Sequence, residues 1–364
     1  MTTPLDAIVR EASMLDRFTS TGTKFWAHRE QMENYRSGNG RTVISTHISP
    51  EGACNLKCPY CSVTHRDTHS RINPQVIDRY VRTLKDRGLK AVILTGGGEP
   101  TAYPQFNELV DWLVLYGLKV ALITNGTLAH KVAPSTWNAF EWVRVSVNFF
   151  APDWDERISI PVDKLKPDCT VGLSTVFTGR HEDKEELKKG WLPLYARISK
   201  LADKLGAKYV RVLPDCLQPQ DPLKASHSAL DEVLAVIQDV RFFHQPKLHG
   251  NPGEHVCHQS FFRPYLSEEP NPWDGKPGTV FPCDSVVLNA PTRGSDGYGK
   301  FMAKYAVCRP GEIGDYLDGK IEAKFTPKAD CDGCVFTGNV KMLGKWKRDG
   351  AGTFVSPMPM SEFV

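Results

Sequence analysis

The sequence predicts an α/β fold built on a parallel sheet, followed by a small cysteine-rich region. From residue 42 to residue 213, short apolar segments alternate with amphipathic helical segments. Such alternation is typical of a parallel sheet, and it gives six strand–helix units here, fewer than the eight of a closed barrel. From about residue 245 the proline, glycine, cysteine and aromatic content rises and the helical periodicity fades, which predicts a second, smaller domain.

Composition narrows the class of protein. The chain has 364 residues, 41% of them hydrophobic, enough for one large core and an appendage. A net charge of +3 gives no electrostatic case for nonspecific nucleic-acid binding. Ten cysteines in C-x2-C-type spacings, without a secretory signal, favour metal ligation in a reducing, cytoplasmic compartment over disulfides. No apolar run reaches the roughly 18 residues of a membrane span, so we expect no membrane partner.

The elements follow in order along the chain. Residues 1–40 predict a helical cap with amphipathic segments at 5–18 and 24–35; a partner-docking helix is the alternative. Asn73 and Pro74 predict the N-cap and first residue of a helix. The predicted strands are 42–48, 91–95, 120–124, 143–149, 171–177 and 209–213, with helices between most of them, such as 105–116 and 183–205.

The first motif is the run Cys54-Asn-Leu-Lys-Cys58-Pro-Tyr-Cys61, a C-x3-C-x2-C spacing after the first strand. Three thiolates on one loop suit an iron–sulfur cluster held at three of its four irons. The fourth iron is then open to a ligand that is not protein, and an open position is typical of a site that does chemistry. The alternatives are a zinc knuckle, with His65 as fourth ligand, and three unrelated buried thiols.

The second motif is the loop Gly96-Gly97-Gly98-Glu99-Pro100, which directly follows the apolar strand of residues 90–95. Glycines let the backbone approach a ligand closely. Glu99 is predicted at the C-terminal end of its strand, where barrel active sites lie. A glycine loop of this kind more often forms an ordinary tight turn. Together with the cysteine loop, however, it is a strong signal of a functional site.

Together the two motifs resemble the radical SAM superfamily, which implies a partial (β/α)6 TIM-like barrel and a 4Fe-4S cluster that binds S-adenosylmethionine at its open iron. The resemblance implies that the cluster ligands are Cys54, Cys58 and Cys61. Gly97, Gly98 and Glu99 resemble the family's GGE motif, which holds the methionine ammonium. Tyr60 occupies the aromatic position that usually packs near the adenine.

Other strand ends are then expected to contact the nucleoside. Asn125 follows the third strand, and Ser146 and Asn148 lie on the fourth, where they are candidates to hydrogen-bond the ribose. Ordinary turn chemistry or a satisfied core polar group is the alternative for each. Arg211 and Asp215, on and just after the sixth strand, are candidates for substrate binding or for a structural ion pair.

A second cysteine group lies near the C-terminus, with a C-x2-C pair at the end of the group and a G-x4-C pattern from residue 278 to residue 283. These patterns resemble the twitch domain, a shortened SPASM domain of some radical SAM enzymes. The resemblance implies a second, auxiliary 4Fe-4S cluster held by Cys257, Cys283, Cys331 and Cys334. The gap after Cys257 is longer than the usual pattern, so Cys308 is the spare candidate; a structural zinc is the alternative to the cluster.

Two cysteines remain outside both groups. Cys169 is expected to be a small buried hydrophobe. Cys216 lies just past the sixth strand, near the expected substrate entrance, and is a candidate hydrogen donor or proton relay. The expected domains are a cap at 1–40, the radical SAM core at 41–244, the twitch-like domain at 245–340 and a tail at 341–364.

The resemblance implies an enzyme that reductively cleaves S-adenosylmethionine and abstracts hydrogen from an unactivated carbon, with isomerisation or oxidation as the outcome. It also implies a reductant such as flavodoxin or ferredoxin. Its relatives with auxiliary domains act on peptides, aminoglycoside-type sugars and other small molecules. A nucleotide-linked substrate, such as an amino-acid-modified thymidine in phage hypermodified DNA, is a further candidate. The non-enzymatic alternative is an iron–sulfur or zinc scaffold, against which the GGE motif argues.

Overall fold

The computed structural model describes residues 14–179, 184–215, 218–247 and 250–364. Within them the chain has an α/β fold in which strand pairing is mostly parallel, which confirms the α/β class and the parallel pairing but not the predicted partial barrel. The strands are β1 Ser45–Ile48, β2 Ala91–Leu94, β3 Lys119–Thr124, β4 Phe140–Ser146, β5 Thr170–Phe177, β6 Tyr209–Pro214, β7 Phe242–His244, β8 Tyr265–Pro270 and β9 Pro277–Phe281. The helices are α1 Arg29–Ser37, α2 Pro74–Asp86, α3 Phe106–Leu115, α4 Pro134–Trp137, α5 Lys184–Lys204, α6 Gln220–Leu234, α7 Asp296–Tyr305, α8 Ile313–Leu317, α9 Pro327–Asp330 and α10 Thr337–Asp349.

The chain divides into two compact units, each made of several segments. The first unit comprises Met1–Phe18, Leu56–Ser62 and Leu122–Leu248. The second unit comprises Thr19–Asn55, Val63–Ala121 and His249–Val364. None of the described helices is both long enough and apolar enough to cross a membrane.

In the first unit, β4, β5, β6 and β7 pair in parallel in that order. Ser146 of β4 lies opposite Ser174 of β5, which in turn lies opposite Arg211 of β6. Helix α6 packs on β6 and β7, and α5 packs on α6. Because neighbouring strands run in the same direction, their C-terminal residues meet at one edge of the sheet, where a ligand site is expected.

In the second unit, β1 pairs in parallel with both β2 and β8, and β8 turns back into the antiparallel β9. One apolar cluster joins the N-terminal helices to α10 and is formed by Phe25, Met32, Tyr35, Ile44, Phe262, Leu343, Trp346 and Val364. A second cluster covers the hairpin and is formed by Tyr265, Phe281, Val287, Phe301, Met302 and Ala306. The β8–β9 hairpin therefore shares a unit with β1 and β2 rather than standing apart from them.

Most predicted elements are confirmed within a few residues, including α2, whose first backbone donors are capped by the Asn73 side chain, which accepts from the Gln75 N–H at 2.9 Å. The fourth strand begins and ends three residues earlier than predicted, so Asn148 lies just beyond it. The predicted segment 5–18 falls largely outside the described residues. The fading helical periodicity was misleading, because α7, α8, α9 and α10 all lie beyond residue 290.

Candidate functional site

The glycine loop and the start of the cysteine loop are joined by backbone hydrogen bonds in the second unit. The N–H of Gly98 donates to the carbonyl of Glu51 at 2.9 Å, and the N–H of Glu99 donates to the carbonyl of Ala53 at 2.8 Å. Each loop follows one of two neighbouring parallel strands, β1 and β2, so both leave the sheet at the same edge. Glu99 is thereby held beside the residue that immediately precedes Cys54.

The three glycines are required by close approach to protein atoms. A methyl group on Gly98 would lie 2.1 Å from the carbonyl oxygen of Ala53, and one on Gly96 would lie 2.3 Å from the carbonyl oxygen of Gly98. On Gly97 it would lie 1.8 Å from a carboxylate oxygen of Glu268. The glycines thus let the chain pack closely against itself, and their approach to a ligand stays a prediction.

Glu99 is a buried carboxylate, with only 3% of its surface exposed. Its Oε1 accepts hydrogen bonds from the backbone N–H of Thr101 at 3.2 Å and from the Thr101 hydroxyl at 2.7 Å. These bonds cap the short 3-10 helix Pro100–Ala102 and fix the direction of the side chain. A buried carboxylate held in one orientation suits a cationic ligand group.

In the first unit, Asn148 contacts the cysteine segment. The thiol of Cys58 and the hydroxyl of Tyr60 both donate to Asn148 Oδ1, at 3.4 and 3.3 Å. The Asn148 amide donates in turn to the backbone carbonyl of Ser146 at 3.0 Å. Burial, with Cys58 close by, raises the pKa of Tyr60, which therefore stays protonated and able to donate. The structure thus brings together three of the residues that the sequence singled out: Cys58, Tyr60 and Asn148.

Sequence analysis missed the aromatic residues around Tyr60. The rings of Phe149 and Phe150 each have their centroid 5.8 Å from that of Tyr60, and the ring of Trp191 lies 5.5 Å from that of Phe149. Phe150 is 40% exposed, so this aromatic group has an accessible face. Phe149 and Phe150 directly follow the candidate Asn148 in the sequence, and this adjacency was the signal that could have identified them.

The remaining candidates of the first unit take different roles. Asn125 Oδ1 accepts from the backbone N–H and the hydroxyl of Thr127, at 2.9 and 2.7 Å, which is the turn chemistry given as the alternative. Arg211 donates from Nε and Nη2 to the hydroxyl oxygen of Ser174, at 3.1 and 2.8 Å. Cys216 lies outside the described residues.

The C-terminal cysteines cluster in the second unit, although they come from three separate segments. Burial raises the pKa of the Cys257 thiol to about 12, with Cys334 and Cys331 as charged neighbours. Burial likewise raises the pKa of Cys283, whose neighbours include Cys257 and Cys334. Cys308 lies elsewhere: it is buried, its backbone bridges to Val280, and its charged neighbours are Glu312 and Asp315.

Beside these thiols lies a cavity of about 350 Å³, lined by Cys283, Cys331 and Cys334 together with apolar side chains such as Phe336. Cys334 exchanges backbone hydrogen bonds with Gly250, at 3.0 and 3.3 Å, which ties the C-x2-C segment to the rest of the unit. In the ranges that the structure describes, no three His, Cys, Asp or Glu side chains are placed to hold a single metal ion.

Comparison with known proteins matches this region to one family. Residues 48–169 match the model of the Radical SAM superfamily. A probable GTP 3′,8-cyclase of Pyrococcus horikoshii is 39% identical over 98 residues, 26% of this chain and 30% of that protein. An S-adenosylmethionine-dependent nucleotide dehydratase of Selenomonas ruminantium is 30% identical over 163 residues, 39% of this chain and 58% of that protein. The matched segments thus span less than two thirds of either relative.

Among solved structures, native anSMEcpe with bound AdoMet and the Cp18Cys peptide is similar, with a TM-score of 0.48 and 13% identity over 80% of this chain and 83% of that chain. The family match encloses both the C-x3-C-x2-C loop and the glycine loop that is hydrogen-bonded to its start. Residues 48–169, which hold both motifs, are therefore similar to a radical SAM domain.

Proposed function

We propose that the chain is a radical SAM enzyme, with a 4Fe-4S cluster on Cys54, Cys58 and Cys61 and S-adenosylmethionine bound beside it. The observation that carries the proposal is the pair of backbone hydrogen bonds that hold Gly98 and Glu99 against the residues just before Cys54. When bound, these groups supply a 5′-deoxyadenosyl radical for hydrogen abstraction from an unactivated carbon. The scaffold alternative needs no buried carboxylate beside the cysteine loop.

The protein's own residues bind and orient the cofactor in this proposal. Glu99, fixed by Thr101, accepts a hydrogen bond from the methionine ammonium. Tyr60, with Phe149 and Phe150, offers an aromatic face for the adenine. Asn148 accepts a hydrogen bond from the Tyr60 hydroxyl and so fixes its position. Ser146 is the last residue of β4, two residues before Asn148, at the strand end where a ribose is expected. We assign Asn125 the role of a turn residue directly after β3.

We also propose that Cys257, Cys283, Cys331 and Cys334 bind an auxiliary 4Fe-4S cluster in a twitch-like domain. The grouping of these four thiols and the β8–β9 hairpin that leads into Cys283 support it. Burial raises the pKa of these thiols, so the ligands must lose their protons as the cluster binds, and assembly is expected to depend on pH. Cys308, which lies elsewhere, is not a ligand in this proposal.

We propose a nucleotide-linked substrate, processed in the cytoplasm with an electron donor such as flavodoxin or ferredoxin. The activities for which the two relatives are named, GTP cyclisation and nucleotide dehydration, support this class. An amino-acid-modified thymidine is one member of it. Whether the outcome is isomerisation or oxidation follows from what becomes of the substrate radical, and product analysis distinguishes the two.

The test is anaerobic reconstitution followed by reduction with S-adenosylmethionine. The wild-type protein is expected to bind about eight iron and eight sulfide per chain and to release 5′-deoxyadenosine, detected by mass spectrometry. The variant with Cys54, Cys58 and Cys61 all changed to Ala is expected to keep about half the iron and to release none. A wild-type protein that binds iron but never forms 5′-deoxyadenosine, with or without nucleotides, contradicts the proposed function. A wild-type protein that binds only about four iron per chain, together with stoichiometric zinc, contradicts the auxiliary cluster but not the radical SAM proposal.

A further inference from the structure

Glu268 is a fully buried carboxyl group in β8, with 1% of its surface exposed. Its Oε2 accepts a hydrogen bond from the Ser267 hydroxyl at 3.1 Å, and the Ser49 hydroxyl is a second hydrogen-bond partner of the carboxyl group. A buried ionisable group is costly unless it is hydrogen-bonded or paired. Both partners are neutral hydroxyls, so Glu268 has a burial cost that these two bonds offset only in part.

The carboxyl group lies against the glycine loop. Its Oε1 occupies the space that a side chain at residue 97 would need, because a methyl group on Gly97 would lie 1.8 Å from it. Ser49 links the same two residues, since its Oγ accepts the Gly97 N–H at 2.7 Å and its hydroxyl bonds to Glu268. Glu268 therefore contacts Gly97 directly and also through Ser49.

The charged and titratable groups around Glu268 are few. Glu269 and Tyr265 interact with it from its own strand, and Tyr298 interacts with it from α7. Glu269 is itself bonded to Arg293 and to the Tyr298 hydroxyl. On the other side lie the neutral Ser49 and Gly97. Burial, with a smaller contribution from Glu269, raises the pKa of Glu268 to about 7.

We propose that Glu268 is a positioning residue of the cofactor site: it fixes Gly97 from behind the loop and adds negative charge next to the place where a ligand's α-ammonium group binds. The inference rests on the proposed function, because that function places the ammonium at residues 97–99. It assigns to β8, which lies about 100 residues beyond the radical SAM match, a role in binding an amino-acid-type ligand. A cation bound nearby favours the ionised form of Glu268, so binding and ionisation support each other.

The experiment compares wild type with Glu268→Gln, which keeps the shape but removes the charge. The Kd for S-adenosylmethionine is measured by equilibrium dialysis on anaerobically reconstituted protein between about pH 6 and about pH 8. Glu268→Gln is expected to bind about tenfold more weakly near pH 8, a difference of about 1.4 kcal/mol, and the gap is expected to close toward pH 6 as wild-type Glu268 becomes protonated. The ratio of the two Kd values removes the titration of the ligand's own ammonium group, which both proteins experience alike.

Glu269→Gln is the matched control, because it makes the same chemical change on the same strand at a residue that bonds Arg293 rather than Gly97. Its Kd is expected to keep the wild-type form of pH dependence, with the midpoint moved to slightly lower pH because Glu269 contributes to the raised pKa of Glu268. Equal Kd values for wild type and Glu268→Gln at every pH overturn the inference and leave the proposed function intact, whereas absence of any binding by the wild-type protein overturns the proposed function. If Glu268→Gln does not retain its iron, Ser49→Ala decides: weaker binding with full iron supports the inference, and unchanged binding overturns it.

Discussion

The two cysteine groups of this protein are built in opposite ways. Cys54, Cys58 and Cys61 lie within eight residues on a loop that follows one strand. Cys257, Cys283, Cys331 and Cys334 come from three segments spread over 78 residues, yet they lie close enough to affect one another's thiol pKa. The first group is specified by local spacing, whereas the second exists only once a hairpin and the C-x2-C segment have packed together.

Because of this difference, we expect the loss of cysteine ligands to affect folding differently in the two groups. A contiguous loop can lose its ligands without loss of a core, because the pairing of β1 with β2 involves none of the three cysteines. The second group lies beside the cavity lined by Cys283, Cys331 and Cys334, so we expect that region to depend more on whatever fills it.

Cys334→Ala is therefore expected to have the largest effect. It should remove the auxiliary cluster, about half of the iron, and lower the unfolding free energy by more than about 3 kcal/mol, since ligand binding there is coupled to folding. Iron analysis and anaerobic thermal unfolding measure both. Cys308→Ala is the control and should keep all its iron. The reverse result, iron lost in Cys308→Ala and kept in Cys334→Ala, would show that the structure groups the wrong thiols.

Glu268→Gln tests how a buried carboxyl group of the second unit makes the free energy of unfolding depend on pH. The pKa of Glu268 is raised from its ordinary value of 4.5 to about 7, so the native state holds this proton more tightly than the unfolded chain does. The stability that the protonated group contributes is present below about pH 4.5 and lost as the pH rises through about 7. Relative to the variant, wild type should lose up to ~3 kcal/mol between those values. Thermal unfolding of both proteins at a series of pH values measures this, and a constant difference would contradict the assigned burial.

Gly97→Ala tests the contact between the glycine loop and β8. The added methyl group meets the Glu268 carboxylate, so displacement of the loop is expected to cost about 2 kcal/mol of cofactor affinity, roughly a 30-fold rise in Kd. The double variant Gly97→Ala/Glu268→Ala should recover part of this loss, because the clashing atoms are gone. Strictly additive effects in the double-mutant cycle would show that the two residues do not act on each other.

Asn148→Ala is expected to have the smallest effect. It removes the acceptor of the Tyr60 hydroxyl, worth about 1 kcal/mol, so the Kd for S-adenosylmethionine should rise about fivefold. Asn125→Ala is a useful contrast, because its bonds to Thr127 serve only a turn. A larger loss of affinity in Asn125→Ala than in Asn148→Ala would reverse the roles assigned to these two residues.

The fold was predictable where the signal is local. Strands with continuous apolar runs, such as β2, and the Asn73 cap of α2 follow from neighbouring residues alone. The missed strands lack that signal: β7 has three residues, and β8 carries Ser267, Glu268 and Glu269 in a segment that ends in proline. They are strands because they pair with β6 and β1, and the sequence of a segment does not contain its partner.

The sequence by itself determined the cysteine loop and the glycine loop, because each depends on residues that are neighbours in the chain. It also determined the α/β class, because apolar strand segments and amphipathic helical segments alternate along the chain. Only the tertiary structure decided which residues from distant parts of the chain lie against the glycine loop and against the cysteine segment. It placed Glu268 against Gly97, 171 positions away in sequence, and Asn148 against Tyr60. It also separated Cys308 from the other C-terminal thiols. The physical reason is that burial and pairing join groups distant in the chain, and only the packed structure specifies which buried groups meet.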